Sequence, residues 1–344
     1  MVHGFDDIIS VENLLEAWKE FVKGKRNKKD VWEFSLRLMD NIFSLRRGLT
    51  DQTYVHGGYQ EFKINDPKPR NIHKACVRDR LLHHSIYRIL YPFFERTFIA
   101  DSYSCRLGKG THRAVNQLRQ LAYKVSRNNA RTCWILKCDI KKFFASVNHT
   151  TLLNILLEYI TDKKVIWLLK QVISSFSPGI PLGNLTSQLF ANVYLNKLDQ
   201  FVKHKLKARH YIRYPDDFLI LSEDKQWLEK QVEQVQKFLQ DNLKLELHPD
   251  KVFIRKFRQG IDFLGYVILP YYTVLRTKTK KRMLKKIKQK NLELAMREIS
   301  EESFNQSLQS YLGILSHCKG HKINNEIRKM LKTKNTPKSG VFFV

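Results

Sequence analysis

Two short apolar runs in this chain end against acidic residues, and that conflict limits what the chain can become. YIRY (211–214) and FLILS (218–222) are aromatic and aliphatic, and only Pro215, Asp216 and Asp217 separate them. So short a gap joins antiparallel neighbours in a hairpin, and proline suits the first corner of its turn. A third acid, Asp139, stands inside CWILKCDI (133–140), a run that reads as a buried strand. Carboxylates beside apolar strands are costly to bury unless a cation compensates them. Mg²⁺ is the natural compensator, being an oxygen-seeking ion that keeps water and phosphate in its shell. Two such ions about 3.5–4 Å apart can serve an in-line phosphoryl transfer. Pro-Asp-Asp is equally a good solvent-exposed turn, and a lone Asp after a strand can cap a helix. The surrounding segments bear on that choice.

Residues 12–47 read as two helices broken around the basic Lys23–Lys29 stretch. DRLLHHSIYRILYPFFE (79–95) places Leu82, Ile86, Ile89, Leu90 and Phe93 on one helical face. Further helices are expected from His112 to Lys124, at 149–160 and at 163–175. SPGIPLGN (177–184) marks a loop, and a helix from Ser187 to about Lys207 spaces Phe190, Tyr194, Leu198 and Phe201 on one face. After a charged helix at 225–241 come strand-like pieces at 243–247, 252–257 and 261–268. The remainder is helical and basic, with nine Lys/Arg between Arg276 and Lys290. Helices, then a mixed middle with antiparallel strands, then a basic helical end make an α+β fold.

Charge narrows the partners. Against 61 Lys and Arg stand 33 Asp and Glu, a formal net charge of +28, so the surface attracts polyanions and nucleic acid above all. Five cysteines (Cys76, Cys105, Cys133, Cys138, Cys318) include no CxxC pair, which argues against zinc and a disulfide framework and for a reducing cytoplasm. MVHGFDDIIS has no secretory pattern, and no apolar run approaches the roughly 20 residues that cross a bilayer. A soluble, cytoplasmic protein without a membrane partner is expected.

At the motifs, the chain resembles the reverse-transcriptase family. CDIKKFF (138–144) is similar to the first palm motif, and YPDDFLIL to the Y-x-D-D hairpin. KPRNIHKACVRDRLLHHSIYRIL (68–90) and SYSCRLGKGTHRAV (102–115) resemble the two finger motifs. LHPDKVFI (247–254) and IDFLGYVI (261–268) resemble the lysine motif and the primer-grip turn. In GIPLGNLTSQLFANVYLN (179–196), Leu182-Gly183 with Ser187-Gln188 resembles the version found in reverse transcriptases of diversity-generating retroelements. Most retroelement polymerases carry Gln-Gly with Ser-Pro there.

The resemblance implies a right-hand polymerase: helical fingers over 1–130 with motifs at 68–115, an antiparallel-sheet palm over 131–269 with a fingers-side insertion around 149–184, and a basic helical thumb over 270–344. It implies an RNA-directed DNA polymerase with two Mg²⁺ on Asp139, Asp216 and Asp217. It implies dNTP substrates, a structured template RNA, a cDNA/RNA duplex as product, errors chiefly opposite template adenines, and a small basic, oligomeric accessory-variability protein as partner. Group II intron-like or defence-associated polymerases of ordinary fidelity remain alternatives, as does a maturase-like RNA-binding protein.

Supporting roles follow from the same match. Lys251 is placed to protonate the leaving pyrophosphate, with an exposed lysine as the plain alternative. Arg70 and Arg78 are assigned to triphosphate or template, since guanidinium forks suit phosphate oxygens; surface arginines are the alternative. Phe144 would floor the sugar and exclude a 2′-hydroxyl, while Phe143 reads as core. Leu182, Gly183, Gln188 and Tyr214 would line the nucleotide and template base. Arg106 and Lys109 could meet phosphate before a helix N-terminus, or simply form a turn. Lys281, Lys285 and Lys288 read as a phosphate-tracking face. Two departures stand out. Pro215 occupies the second hairpin position, where the family usually has a non-proline residue. No RNase H-like segment and no endonuclease-like Cys/His cluster is recognisable.

Overall fold

Local capping and apolar spacing build the first helices of the computed structural model, which describes residues 4–65 and 69–332. Ser10 lies between α1 (Phe5–Ile9) and α2 (Val11–Phe21), and its Oγ accepts from the Asn13 N–H at 3.1 Å. Leu14, Ala17, Trp18 and Phe21 then bury one face of α2, which packs against α5 (Val77–Glu95). The expected break at Lys23–Lys29 is present, but the helix after it is itself divided. Arg37, with φ −125°, separates α3 (Lys29–Leu36) from α4 (Leu38–Thr50). On α5 the buried line runs through Leu82, Ile86, Leu90 and Phe94, with Ile89 and Phe93 only half-buried.

Between these helices an antiparallel ribbon pairs β1 (Tyr59–Ile64) with β2 (Arg70–Ala75), in register Tyr59↔Ala75 to Ile64↔Arg70. Its β1 side chains are nearly all exposed, so no apolar alternation announces it in the sequence. Lys68 of the first finger motif lies outside the described residues.

There follow α6 (Thr111–Val125), β3 (Trp134–Asp139), α7 (Phe143–Ser146), α8 (His149–Leu157) and α9 (Lys163–Ser174). Next come α10 (Leu185–Gln200), β4 (His210–Tyr214), β5 (Asp217–Ser222) and α11 (Lys225–Leu243). β6 (Phe253–Lys256) completes a four-stranded sheet of order β4-β5-β3-β6. Tyr211, Ile212 and Phe218 through Leu221 are buried in it, as near-continuous apolar runs require. α10 is buried around most of its circumference, with Phe190, Tyr194 and Leu198 inside as expected. It runs on into a π-helical turn, Phe201–Lys205, where Phe201 stacks on Phe238 at 4.2 Å. The expected strand at 243–247 is absent; Leu247 makes only an isolated bridge to Ile140.

The described residues close with β7 (Ile261–Phe263), β8 (Tyr266–Ile268) and β9 (Thr273–Leu275), an antiparallel sheet, and with α12 (Thr277–Ala295), α13 (Glu301–Leu315) and α14 (His321–Lys332). Two compact units result. Of the described residues, one unit comprises those within 4–110, 136–220 and 226–253, and the other those within 111–135, 221–225 and 254–332. In the second, α12 buries Met283 and Ile287 while Lys281, Lys285 and Lys288 are all exposed. No helix among the described residues is long and apolar enough to cross a membrane.

Candidate active site

The β4–β5 turn consists of Pro215 and Asp216, and Asp217 opens β5. β3 lies next to β5, and the Ile140 N–H donates to the Asp216 carbonyl at 3.1 Å, so Asp139 comes alongside the hairpin. The chain around 246–251 is stitched to the same place. The His248 N–H donates to the Asp139 carbonyl at 2.8 Å, and the Lys141 N–H to that of Glu246 at 2.9 Å. A 3₁₀ turn at Pro249–Lys251 then brings Lys251 Nζ to 2.9 Å from Asp139 Oδ1.

Burial raises the carboxyl of Asp216 above the usual carboxylate range, and the charge of Asp139 adds to it, while Lys251 and Arg70 oppose. Asp217 is pushed further, up to about 7, again by burial first, with Asp139 and Asp216 adding and Lys137 opposing. Lys137 Nζ sits 3.1 Å from Asp217 Oδ2, while Asp217 Oδ1 is buried without a hydrogen-bond partner. The three acids share one field but are not closed around a common point. Among the described residues, no three His, Cys, Asp or Glu side chains are gathered to hold a metal ion. The chemistry nonetheless suits a hard divalent cation: all-oxygen donors, two of them raised by burial, and one buried oxygen unanswered.

Arg70 begins β2 and its charge reaches Asp216. Leu182 is held beside β2, its carbonyl accepting from the His73 N–H at 2.9 Å. Gly183, at φ +121°, lets that loop lie close, since a Cβ there would meet Ile72 Cγ2 at 3.0 Å and the His73 carbonyl oxygen at 3.3 Å. Phe144 is half-exposed and its carbonyl accepts from the Ile180 N–H at 2.8 Å, whereas Phe143 is core, as expected. Gln188 and Tyr214 are half-buried, on α10 and at the end of β4.

Two arginines are engaged differently from expectation. Arg106 is a correction: its side chain is 4% exposed, its fork grips Glu95, and its Nη1 donates to the Ile99 and Ser102 carbonyls. Four of its five N–H donors are thereby engaged within the protein. Arg78 donates to Asp79 Oδ1 at 2.9 Å and to the Val55 carbonyl at 2.7 Å, and lies over the Tyr54 ring. Lys109 donates to the Ala100 carbonyl at 2.8 Å on the surface.

Sequence reasoning passed over Lys137 and Arg213. Lys137 was findable, because residues two apart on a strand share a face and it precedes Asp139 by two. Arg213 breaks the apolar pattern of β4, and its side chain is fully buried in an ion pair with Asp199.

The fold is that of a right-hand polymerase. Apo telomerase from Candida tropicalis superposes with a TM-score of 0.55 at 10% identity, covering 80% of this chain and 60% of that one. Residues 63–268, more than half the chain, match the family model described as reverse transcriptase (RNA-dependent DNA polymerase), and the chain belongs to that family. Protein YkfC of Escherichia coli K12 is 25% identical over 244 residues, covering 59% of this chain and 64% of that protein. The group II intron-encoded protein LtrA of Lactococcus lactis is 25% identical over 307 residues, covering 67% of this chain and 50% of LtrA. The chain thus spans about half to two thirds of the length of these relatives.

Proposed function

We propose that the chain is an RNA-directed DNA polymerase that copies a structured template RNA into cDNA and errs chiefly opposite template adenines. The observation that carries the polymerase reading is the half-buried pair Asp216 and Asp217 on a hairpin turn, with Asp139 on the adjacent strand, inside a reverse-transcriptase domain. Asp139, Asp216 and Asp217 would hold two Mg²⁺, which when bound would stabilise the attacking and leaving oxygens. Lys251, already beside Asp139, would give a proton to the departing pyrophosphate. Phe144 would floor the sugar, and Arg70 would face the triphosphate. The exposed lysines of α12 would track backbone phosphates. Fingers at 1–130, palm at 131–269 and thumb at 270–344 are the proposed functional lobes, acting in the cytoplasm with an accessory-variability protein.

The fidelity reading rests on Leu182. A branched apolar side chain cannot donate or accept a hydrogen bond, so it cannot help hold the nascent base pair. Its backbone bond to β2, the strand that Arg70 opens, supports a position at the nucleotide. A loss of about 1.4 kcal/mol of discrimination is a tenfold change in error ratio, felt most by the weak A·T pair. The test is deep sequencing of cDNA from one RNA template, scored by template base, for wild type and Leu182→Gln. Errors concentrated at adenine, and reduced by the substitution, are expected; equal rates at all four bases leave a reverse transcriptase of ordinary fidelity. That second reading, and the separate one of a maturase-like RNA-binding protein, are equally compatible with the likeness to a group II intron-encoded protein.

A further inference from the structure

Among the described residues the largest fully buried side chain is a charged one, Arg213, three residues before Asp216. Each of its five N–H donors can be accounted for. Nε reaches Asp199 Oδ1 at 2.7 Å, and Nη2 reaches Asp199 Oδ2 at 2.7 Å and Ser102 Oγ at 3.0 Å. Nη1 reaches the Pro215 carbonyl at 2.9 Å and Asn192 Oδ1 at 3.4 Å. Asp199 also accepts from the Tyr211 hydroxyl at 2.7 Å. The backbone of Arg213 is held as well, its N–H donating to the Asp101 carbonyl and its carbonyl accepting from the Tyr103 N–H, both at 3.0 Å.

Such a pair is by itself weak evidence of a role in holding the sheet. Removing two charges from water offsets most of their attraction, and apolar residues of similar volume often serve stability equally well. What apolar residues cannot supply is the bond to the Pro215 carbonyl. The pyrrolidine ring of Pro215 fixes φ near −65° and leaves the residue no N–H for the ladder. Its one soft dihedral is therefore ψ, and the Nη1 bond sets it. Because the peptide is planar, fixing that carbonyl also fixes the amide that begins Asp216. The Asp216 carbonyl is pinned in turn by the Ile140 N–H.

We propose that Arg213, locked by Asp199, is a positioning residue for the catalytic hairpin: it sets the Pro215 peptide and through it the aim of the Asp216 and Asp217 carboxylates. Proline in the turn and arginine in the strand then form one device. The inference rests on the reading of those carboxylates as metal ligands.

Two variants test it. Asp199→Leu/Arg213→Met removes both charges together, so the fold has no unpaired ion. Arg213→Lys keeps a cation for Asp199, but its single ammonium cannot also reach the Pro215 carbonyl with the arginine's geometry. Three quantities are measured on each variant: the melting temperature, Mn²⁺ affinity by electron paramagnetic resonance without nucleotide, and kcat and KM for dNTP on a primed RNA. Melting within a few degrees of wild type is expected, with Mn²⁺ affinity about 10-fold weaker. A fall in kcat on the order of 100-fold, with little change in KM, is expected alongside. Wild-type Mn²⁺ affinity and kcat in a folded variant would overturn the proposal, as would a loss of kcat that only follows the unfolded fraction. If the double variant does not fold, Arg213→Lys decides alone. Asp216→Asn is run in parallel: if it binds Mn²⁺ as wild type does, it is the metal-ligand reading that fails.

Discussion

Lys137 Nζ lies 3.1 Å from Asp217 Oδ2, two residues before Asp139 on the same strand. A lysine thus answers one carboxylate of the hairpin, as Lys251 answers Asp139. Lys137→Met should leave Asp217 without a counter-charge, lowering the melting temperature in chelator and enlarging the rise on adding Mg²⁺. About 1 kcal/mol corresponds to roughly 2–4 °C in domains of 150–250 residues. Melting curves with and without Mg²⁺ measure both changes. An unchanged Mg²⁺ response would show that the Asp217 carboxylate does not meet the ion.

The rings of His56 and His83 face each other in unit one, with Nε2 to Nε2 at 3.1 Å. Burial first, then the charge of His56, hold His83 down at about 3. Because the folded value lies below the unfolded one near 6.5, the unfolded chain takes up the proton first. His83 therefore contributes its full stability above about pH 6.5 and loses it progressively as pH falls toward 3. The associated slope reaches about 1.4 kcal/mol per pH unit. Denaturant unfolding of wild type and His83→Gln between pH 4 and 8 should show a shallower acid loss in the variant. Parallel curves would mean that this ring titrates normally in the fold.

Phe144 is half-exposed beside the loop that carries Gly179, while its neighbour Phe143 is buried. Gly179 has φ +76°, and a Cβ there would lie 2.2 Å from the Phe144 carbonyl oxygen, so the two backbones pass in contact. That contact fixes the Phe144 backbone and leaves its ring available as a floor. Phe144→Val should raise ribonucleotide incorporation relative to deoxynucleotide on one primer–template by 10-fold or more, on the order of the 1–3 kcal/mol that a small steric change in a pocket confers. An unchanged ratio would assign sugar selection to another side chain.

What the sequence made legible was what strong local patterns carry. The apolar runs around Asp139 and the Pro215–Asp217 turn are strands, because β-branched and aromatic residues buried on both faces leave little alternative. The β1–β2 ribbon was not legible, since exposed strands show no alternation and their pairing is set by each other. Arg106 illustrates a different limit. Its motif suggested phosphate, yet Glu95, eleven residues earlier, takes its fork, and only the folded chain shows which acid lies within reach. Strand spacing could place Lys137 on the face of Asp139, but neither its ion-pair partner nor that of Arg213 could be read in this way. Their partners Asp217 and Asp199 lie on other elements, and tertiary pairing leaves no periodic trace.

Asp216 is proposed as a metal-bearing acid of an RNA-directed DNA polymerase, and its loss gives the decisive test. The direct measurement is extension of a DNA primer on a defined RNA template by purified wild type and Asp216→Asn, with RNA affinity measured on the same preparations. The substitution removes a charge at nearly constant volume. Wild type should extend the primer with dNTPs and Mg²⁺, and Asp216→Asn should lose extension by 100-fold or more, as removal of a key electrostatic group does, while binding RNA unchanged. Near-normal extension by Asp216→Asn would rule out a metal-bearing role for this carboxylate.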